Sequence, residues 1–290
     1  MSQPNQVIDN IDKLLKSIAL EQLDANLFRG FSHDIGSPNV YGGQAISQAL
    51  DAAIQTIPRD RFVHSLHSYF ILPGDLTKPI IYQVLNIRDG GSFSTRRVTG
   101  MQNGKAIFIL AASFQLEQQG LDHQIKIPQT TPPDQLQSDF DLMTQFKDQI
   151  PKSFKNFIRP KPIEFRPVNP LSFILPQKQA PQRYIWMRAI GKVPNDTTIQ
   201  QRLLAYASDY NLLITALLPH QHETNISKLQ LASIDHAMWF HRTFNLEDWL
   251  LYELDSPSAS NTRGFTRGNI YTKDGKLVAS VVQEGLMRQK

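Results

Sequence analysis

The sequence of 290 residues contains no cysteine. This absence excludes disulfide bonds, a thiolate nucleophile and zinc sites built on sulfur ligands. No run approaches the roughly 20 consecutive apolar residues that cross a bilayer, so we expect no membrane insertion. The first ten residues are polar and acidic and lack the basic-then-apolar order of a secretory signal. We therefore expect a cytoplasmic protein.

Several catalytic motifs are also missing. Gly90–Ser94 lacks the closing glycine of a Gly-x-Ser-x-Gly elbow, which argues against a serine hydrolase of the α/β type. No Gly-x-Gly-x-x-Gly motif follows a predicted strand, so the sequence lacks the glycine-rich loop that binds the phosphates of a nicotinamide cofactor. His64 and His67 are three residues apart on a predicted strand and point to opposite faces, while His220 and His222 have no third ligand nearby. We expect no cofactor and no metal.

What the chain does contain is ordinary globular material, 41% hydrophobic and 19% charged, with a formal net charge of +4. The positive charge is concentrated, because the segment from Lys152 to Arg202 carries ten basic residues against two acidic ones. Two interpretations stay open: a solvated connector with a basic surface, or a docking patch for a polyanion such as a nucleotide phosphate. The segment lacks interleaved aromatic residues and any nucleic-acid-binding module, so we expect no nucleic acid partner.

Proline divides the chain, since ten of its 18 prolines lie between Pro128 and Pro181. This distribution predicts three parts: an N-terminal half at residues 1–127, a proline-rich connector at 128–181, and a C-terminal half at 182–290. Asp134 is the predicted cap of one amphipathic helix in the connector, and Pro151 its stop. The apolar residues at helical spacing in this segment are Leu136, Phe140, Met143, Phe146 and Ile150. An opening helix is predicted from the apolar face formed by Val7, Ile8, Ile11, Leu14, Leu15 and Ile18.

The two halves repeat one another, which bears directly on the fold. Three pairs of landmarks recur in the same order at offsets of 165 to 171 residues: Tyr41–Gln44 with Tyr206–Asp209, His67 with His236, and the turn Asn103-Gly104 with Asp274-Gly275. In each half one apolar helix precedes several strands joined by tight turns, an order that favours antiparallel pairing. We predict an α+β double hotdog, with two antiparallel sheets each wrapped around a central helix.

Asp209 is the carboxylate that stands out, because it interrupts an apolar helical run where the first half has Gln44. A charge facing a core must be paired, hydrogen-bonded or functional. A helix that starts near Ser208 places Asp209 at an N-terminus, where unpaired N–H groups polarise a carbonyl. A single helix from Thr198 to Leu218, a cap or an exposed turn are the alternatives.

Four motifs together resemble acyl-CoA thioesterase II, and the likeness runs from about residue 7 to residue 288. They are Tyr41–Gln44, His64–Phe70, Ile234–His241 and Val282–Gly285. The resemblance implies a double hotdog of lipid and fatty acid metabolism that hydrolyses medium- to long-chain fatty acyl-CoA to free fatty acid and CoA. It also implies that an Asp, a Thr and a Gln hold the attacking water.

The resemblance carries these three roles onto Asp209, Ser233 and Gln283. Serine at the threonine position is a departure, but it keeps the hydroxyl group, so we expect looser positioning of the water rather than lost activity. Asp209 is the only ionisable member and either accepts the proton of the water or only orients it. Because Gln44 replaces the acid in the first half, we expect one site per chain.

The partners implied are an acyl-CoA substrate and further copies of the chain in a homo-oligomer such as a tetramer. The CoA phosphates could meet the basic segment, or Arg263 and Arg267. Two other functions remain open. A hydratase or dehydratase would use His67, or His236 beside Asp235, and a non-catalytic carrier would bind acyl-CoA without turnover.

Overall fold

The computed structural model describes residues 8–150, 152–169, 178–222 and 228–289. The helices in these ranges are α1 (Ile11–Ile18), α2 (Gly42–Ile54), α3 (Asp139–Gln145), α4 (Thr197–Ser208) and α5 (Leu212–Leu217). The strands are β1 (Glu21–Asp24), β2 (Leu27–Gly30), β3 (Arg61–Phe70), β4 (Ile80–Asp89), β5 (Phe93–Gln102), β6 (Lys105–Leu116), β7 (Ile163–Pro167), β8 (Gln182–Ala189), β9 (Leu229–Ser233), β10 (Asp235–Phe240), β11 (Leu250–Ser260), β12 (Arg263–Thr272) and β13 (Leu277–Gln289). Single turns of 3-10 helix cover Pro133–Gln135 and Leu218–His220, and a longer one covers Lys152–Phe157. No helix in the described ranges is long and apolar enough to cross a membrane.

The strands of the described residues pair antiparallel, as predicted, but they form one sheet. Its order is β1-β2-β4-β5-β6-β3-β10-β13-β12-β11-β8-β7, with β9 added on β13. The expectation of two separate sheets is corrected by the pairing of β3 with β10, in which Ala237 lies opposite His67. Each of these strands would otherwise be an exposed edge of its own half, and their pairing satisfies both rows of backbone groups.

Helix α2 is the central helix of the first half. Eleven of its thirteen residues are buried, and it packs across β4, β5 and β6 on one side and against α4 on the other. Small side chains such as Ala45, Ala49 and Ala53 make close packing on both sides possible. The helix therefore lies between the sheet of its own half and the helix of the other.

The central helix of the second half is broken. Helix α4 ends at Ser208, Asp209 follows as its C-cap, and Asn211 adopts a left-handed φ of 70° before α5 begins. Neither a helix that starts near Ser208 nor a continuous helix from Thr198 to Leu218 is present. Helix α5 packs on β11, β12 and β13.

Two glycines allow α5 to lie close to the sheet. A Cβ atom added to Gly285 would lie 2.5 Å from Leu213 Cδ1, and one added to Gly264 would lie 2.6 Å from Ala216 Cβ. Both distances are below van der Waals contact. Glycine at these two positions of β12 and β13 therefore sets the separation between α5 and the strands.

The connector contains more structure than its prolines indicated. Its helix α3 is capped by Ser138, whose hydroxyl accepts from the Asp141 N–H, so the predicted cap at Asp134 is wrong. Asp134 lies instead in the preceding 3-10 turn, and Leu136 is extended. The acidic first turn of α3 also favours this later start. Strand β7, which was not predicted, pairs with β8 at one end of the sheet.

The connector also covers the outer face of the second half. Leu136 of the connector, together with Ile127 directly before the connector, packs against a buried cluster of Trp186, Trp249, Leu251 and Tyr271. The division of the chain at residues 127 and 181 stays a prediction.

The opening helix is confirmed as α1, with Ile11, Leu14 and Ile18 fully buried. It begins later than the apolar pattern indicated, because the Asn10 side chain accepts from the Lys13 N–H and caps the helix there. Val7 lies outside the described residues.

Candidate active site

Asp209 lies where the two repeats meet. As the C-cap of α4 it belongs to the second half, but its Oδ2 accepts a hydrogen bond of 2.9 Å from the N–H of Gly43, in the first turn of α2. The N-terminus of a helix stabilises a negative charge through its unpaired N–H groups and its dipole. Asp209 therefore does meet a helix N-terminus, but that of the other repeat rather than its own.

The glycine pair at the start of α2 is required by this contact. A Cβ atom on Gly42 would lie 2.6 Å from Asp209 Oδ2, and one on Gly43 would lie 2.3 Å from the carbonyl oxygen of Tyr206. A side chain at either position would push α2 away from the end of α4. The motif Tyr41–Gln44 is thus explained by close approach of two helices.

Two phenol groups hold the end of α4 in place. Tyr41 donates to the carbonyl oxygen of Tyr206 at 2.9 Å, and Tyr252 donates to that of Ser208 at 2.8 Å. Burial, followed by the charge of Asp209, raises the pKa of Tyr41 and Tyr252 well above the usual value. Both groups remain neutral donors, and they satisfy carbonyl groups that the last turn of a helix leaves unpaired.

The carboxyl group of Asp209 is only half satisfied. Its Oδ1 is shielded from solvent and has no hydrogen-bond partner among the described residues, although the residue as a whole keeps some exposure. Burial raises the pKa of Asp209 to about 6, against smaller lowering effects from the Gly43 N–H and the Gln283 side chain. A carboxylate with a pKa near neutrality can exchange a proton at physiological pH.

Gln283 lies near this carboxyl group, and Ser233 contacts Gln283. Gln283 is 2% exposed on the inner face of β13, and its Nε2 donates to Ser233 Oγ at 2.9 Å. Ser233 is the last residue of β9 and lies opposite Gly285 of β13. Since Gln283 is near enough to influence the pKa of Asp209, the three residues singled out from the sequence form one group. Their catalytic roles remain predictions.

His236 has a different position from the one that a hydratase would need. Its Nδ1 lies 2.8 Å from Gln283 Oε1 and its Nε2 lies 3.0 Å from Ser208 Oγ, so both nitrogens have neutral partners. The neighbouring Asp235 accepts instead from the Glu284 N–H at 2.7 Å. His67 is exposed and packs edge-on against the ring of Trp239. No His–carboxylate pair is therefore formed by either candidate.

Gln44, the first-half counterpart of Asp209, is fully buried and saturated by backbone groups. Its Oε1 accepts from the His33 N–H at 3.1 Å, and its Nε2 donates to the carbonyl oxygen of Phe31 at 3.3 Å. A side-chain amide does not accept a proton from water, and these hydrogen bonds to the backbone keep the Gln44 amide from turning toward a water molecule. This arrangement agrees with one site per chain.

Among the described residues, five of the ten basic residues of the basic segment form ion pairs, and Arg263 and Arg267 are also paired. Glu164 pairs with both Arg166 and Arg188, at 2.6 and 2.9 Å. Arg202 pairs with Asp51 at 3.0 Å. Three more pairs are Arg159 with Asp34, Lys161 with Asp139, and Arg263 with Glu284. Arg267 pairs with Asp255 at 2.5 Å. The geometry thus favours neither candidate region for the CoA phosphates.

A metal centre has no candidate in the described part of the chain, where no three or more His, Asp or Glu side chains are grouped to hold an ion.

Two family models and two individual relatives that match this chain are each described as acyl-CoA thioesterases. A family model described as acyl-CoA thioesterase matches residues 162–286, and one described as acyl-CoA thioesterase N-terminal domain matches residues 32–115. Acyl-CoA thioesterase 2 of Haemophilus influenzae is 38% identical over 98% of this chain and 99% of its own length. Acyl-coenzyme A thioesterase 8 of Homo sapiens is 39% identical over 93% of this chain and 87% of its own length.

Solved structures agree with the sequence comparisons. The crystal structure of an acyl-CoA thioesterase II from Mycobacterium marinum has a TM-score of 0.79 and 39% identity, covering 96% of this chain and 98% of its own. A hot dog fold protein from Alicyclobacillus acidocaldarius has a TM-score of 0.74 at 19% identity, covering 95% of this chain and 98% of its own. The second likeness bears on the fold alone.

Proposed function

Because the chain belongs to the acyl-CoA thioesterase II family and is an acyl-CoA thioesterase, we propose that Asp209, Ser233 and Gln283 hold and activate the water that hydrolyses its substrate. The observation that carries this proposal is the shielded Oδ1 of Asp209, a carboxylate oxygen with no protein partner in the described residues. A buried acceptor left unpaired costs free energy unless a ligand or a water fills the place. A water bound there lies against the Gln283 and Ser233 side chains.

Asp209 acts as the general base in this scheme. The water donates a hydrogen bond to Oδ1, and as its oxygen attacks the thioester carbonyl carbon its proton passes to Asp209. The tetrahedral intermediate then breaks its C–S bond, releases the free acid, and returns the proton from Asp209 to the CoA thiolate. A pKa near 6 suits both steps, because the group is ionised at neutral pH and is still a useful base.

Ser233 and Gln283 orient the water. Since Ser233 Oγ accepts from Gln283 Nε2, its own hydroxyl proton is available to the oxygen of the water, which leaves a lone pair aimed at the substrate. The developing oxyanion is assigned to the N–H of Gly42, the first residue of α2, because the Gly43 N–H is donated to Asp209 and those of Gln44 and Ala45 to the Tyr41 carbonyl oxygen. The fatty acyl chain is assigned to the apolar side beginning at Phe70, which lies near Gly42 and packs with its ring 5.3 Å from that of the buried Phe108.

The finer assignment belongs to the same proposal. We propose a double hotdog that acts on medium- to long-chain acyl-CoA in cytoplasmic lipid and fatty acid metabolism, as a homo-oligomer and without a nucleic acid partner. Leu85, Ile87 and Phe93 support self-association, because these apolar side chains on β4 and β5 are 42–52% exposed.

The test is release of free thiol from acyl-CoA substrates of graded chain length. We expect the wild-type protein to release thiol, and Asp209→Asn to lower kcat about 100- to 10,000-fold. A hydratase would release no thiol, and a carrier would bind without turnover. Asp235→Asn is the matched control, since this nearby carboxyl group only accepts from a backbone N–H and its amide can do the same. Full activity of a folded Asp209→Asn variant would refute the assignment.

A further inference from the structure

The amide group of Gln283 can serve the proposed site in only one of its two orientations. Its NH₂ end donates and its carbonyl end accepts. In the structure Nε2 faces Ser233 Oγ at 2.9 Å, and Oε1 faces His236 Nδ1 at 2.8 Å. The reversed orientation would direct the carbonyl oxygen at Ser233 and toward the carboxylate of Asp209, where two acceptors repel each other.

We propose that His236 is a positioning residue that fixes this orientation by donating from Nδ1 to Gln283 Oε1. The inference rests on the proposed function, because it assigns to His236 a role exerted through Gln283. His236 is fully buried on β10, the strand paired with β13 in the sheet. It does not touch the substrate and is not a catalytic residue.

The hydrogen bonds around His236 form one directed chain. A neutral imidazole has one N–H and one acceptor nitrogen. If Nδ1 carries the proton, Nε2 accepts from Ser208 Oγ at 3.0 Å, and the chain runs from Ser208 through His236 and Gln283 to Ser233. Burial lowers the pKa of His236 to about 4, so the ring is neutral at physiological pH.

The same groups can also form hydrogen bonds in the opposite direction. The Ala205 carbonyl oxygen lies 2.9 Å from Ser208 Oγ and can only accept from it, so it competes with His236 Nε2 for the single hydroxyl proton of Ser208. If Ser208 donated there, Nε2 would have to carry the proton, Nδ1 would become an acceptor, and the Gln283 amide would have to be reversed. The Gln283 orientation and the His236 tautomer are therefore coupled, and the nearby Asp209 carboxylate favours the first state.

This series of hydrogen bonds also connects two parts of the site. Ser208 is the residue directly before Asp209, and its carbonyl oxygen is held by Tyr252. The end of α4 that carries the proposed base is therefore linked through His236 to the amide that orients the water. This accounts for a histidine in the motif Ile234–His241 that the catalytic roles left unexplained.

The experiment compares two amide replacements of the same residue by thiol release. His236→Asn can present an N–H near the position of Nδ1 and keep the bond to Gln283. His236→Gln reaches toward Ser208 and loses that bond. We expect His236→Gln to lower kcat about 10- to 100-fold with little change in KM, as a misaligned reacting group does. His236→Asn should retain kcat within about fivefold, because the donor to Gln283 is restored.

His67→Gln is the matched control, because His67 is the counterpart in the first repeat and is exposed. Thermal unfolding checks that each variant is folded. If both His236 variants are folded and have equal kcat, the positioning role is refuted. If the wild-type protein itself releases no thiol, the proposed function fails instead.

A measurement on the wild-type protein keeps the test independent of folding of the variants. Nitrogen-15 chemical shifts of labelled histidine distinguish a ring protonated at Nδ1 from one protonated at Nε2. We expect the Nδ1–H tautomer for the buried His236 at neutral pH. Observation of the Nε2–H tautomer would overturn the proposal.

Discussion

Replacing Asp209 by Asn should make the protein less active and more stable. The pKa of Asp209 is raised from 3.8 to about 6, mainly by burial. A carboxyl group whose pKa is higher in the folded state binds protons more tightly there, so its contribution to stability is lost as the pH rises from about 4 to 6. At pH 7 the ionised group costs about 3 kcal/mol relative to its neutral form, and at pH 4 only about 0.5 kcal/mol.

Asparagine removes this charge and keeps an oxygen for the Gly43 N–H. We therefore expect Asp209→Asn to raise the melting temperature at pH 7 by on the order of 5–10 °C, and to have almost no effect at pH 4. Thermal unfolding at both pH values measures the difference. Asp51→Asn is the contrast, because Asp51 is also a buried carboxyl group with a raised pKa but pairs with Arg202 at 3.0 Å. Because removing the carboxylate also leaves Arg202 without its partner, that variant should gain less stability at pH 7 than Asp209→Asn does. If Asp209→Asn melts at or below the wild-type temperature at pH 7, the argument from burial of its charge is wrong.

Three further outcomes are expected. The value of kcat/KM should rise with pH through an acid limb near 6 as Asp209 ionises; a flat profile between pH 5 and 7, measured by thiol release, would exclude Asp209 as the base. Gly43→Ala should lower the free energy of unfolding by about 1–3 kcal/mol, and lower activity as well. The reason is that the new Cβ would lie 2.3 Å from the Tyr206 carbonyl oxygen. A free energy of unfolding in denaturant equal to that of the wild type would contradict this. Ser233→Ala should lower kcat about 10- to 100-fold, and Ser233→Thr should raise kcat. If steady-state kinetics give Ser233→Ala the kcat of the wild type, Ser233 does not belong to the site.

The sequence predicted the antiparallel pairing and the positions of the repeated elements because those depend on local periodicity and turn chemistry. The turn at Asp274-Gly275, for example, lies between β12 and β13 as expected. Strand β7 was missed because Pro162 precedes it and Pro167 is its last residue, and a strand at the end of a sheet tolerates proline where an interior one does not. The broken helix was undecided because its left-handed residue is Asn211 and not glycine.

The sequence singled out the three residues of the candidate site but not the contacts between them. Asp209 stood out as a charge in an apolar helical run, while the roles of Asp209, Ser233 and Gln283 came from motif resemblance, and each motif is local. The partner of Asp209 is Gly43, 166 positions away in the other repeat, and periodicity carries no information about such a contact. His236 was considered only as an acid–base candidate, since sequence alone cannot tell that both its ring nitrogens face neutral groups.

The contact between Gly43 and Asp209 has a consequence for how the two repeats can diverge. In a symmetric pair of separate, identical chains, the same residue would have to stand at both equivalent positions, so a carboxylate kept in one would be kept in the other. Joining the repeats in one polypeptide removes that constraint. One position can retain its acid while the other becomes Gln44, and the half that has lost its acid still supplies the glycine backbone on which the surviving acid depends.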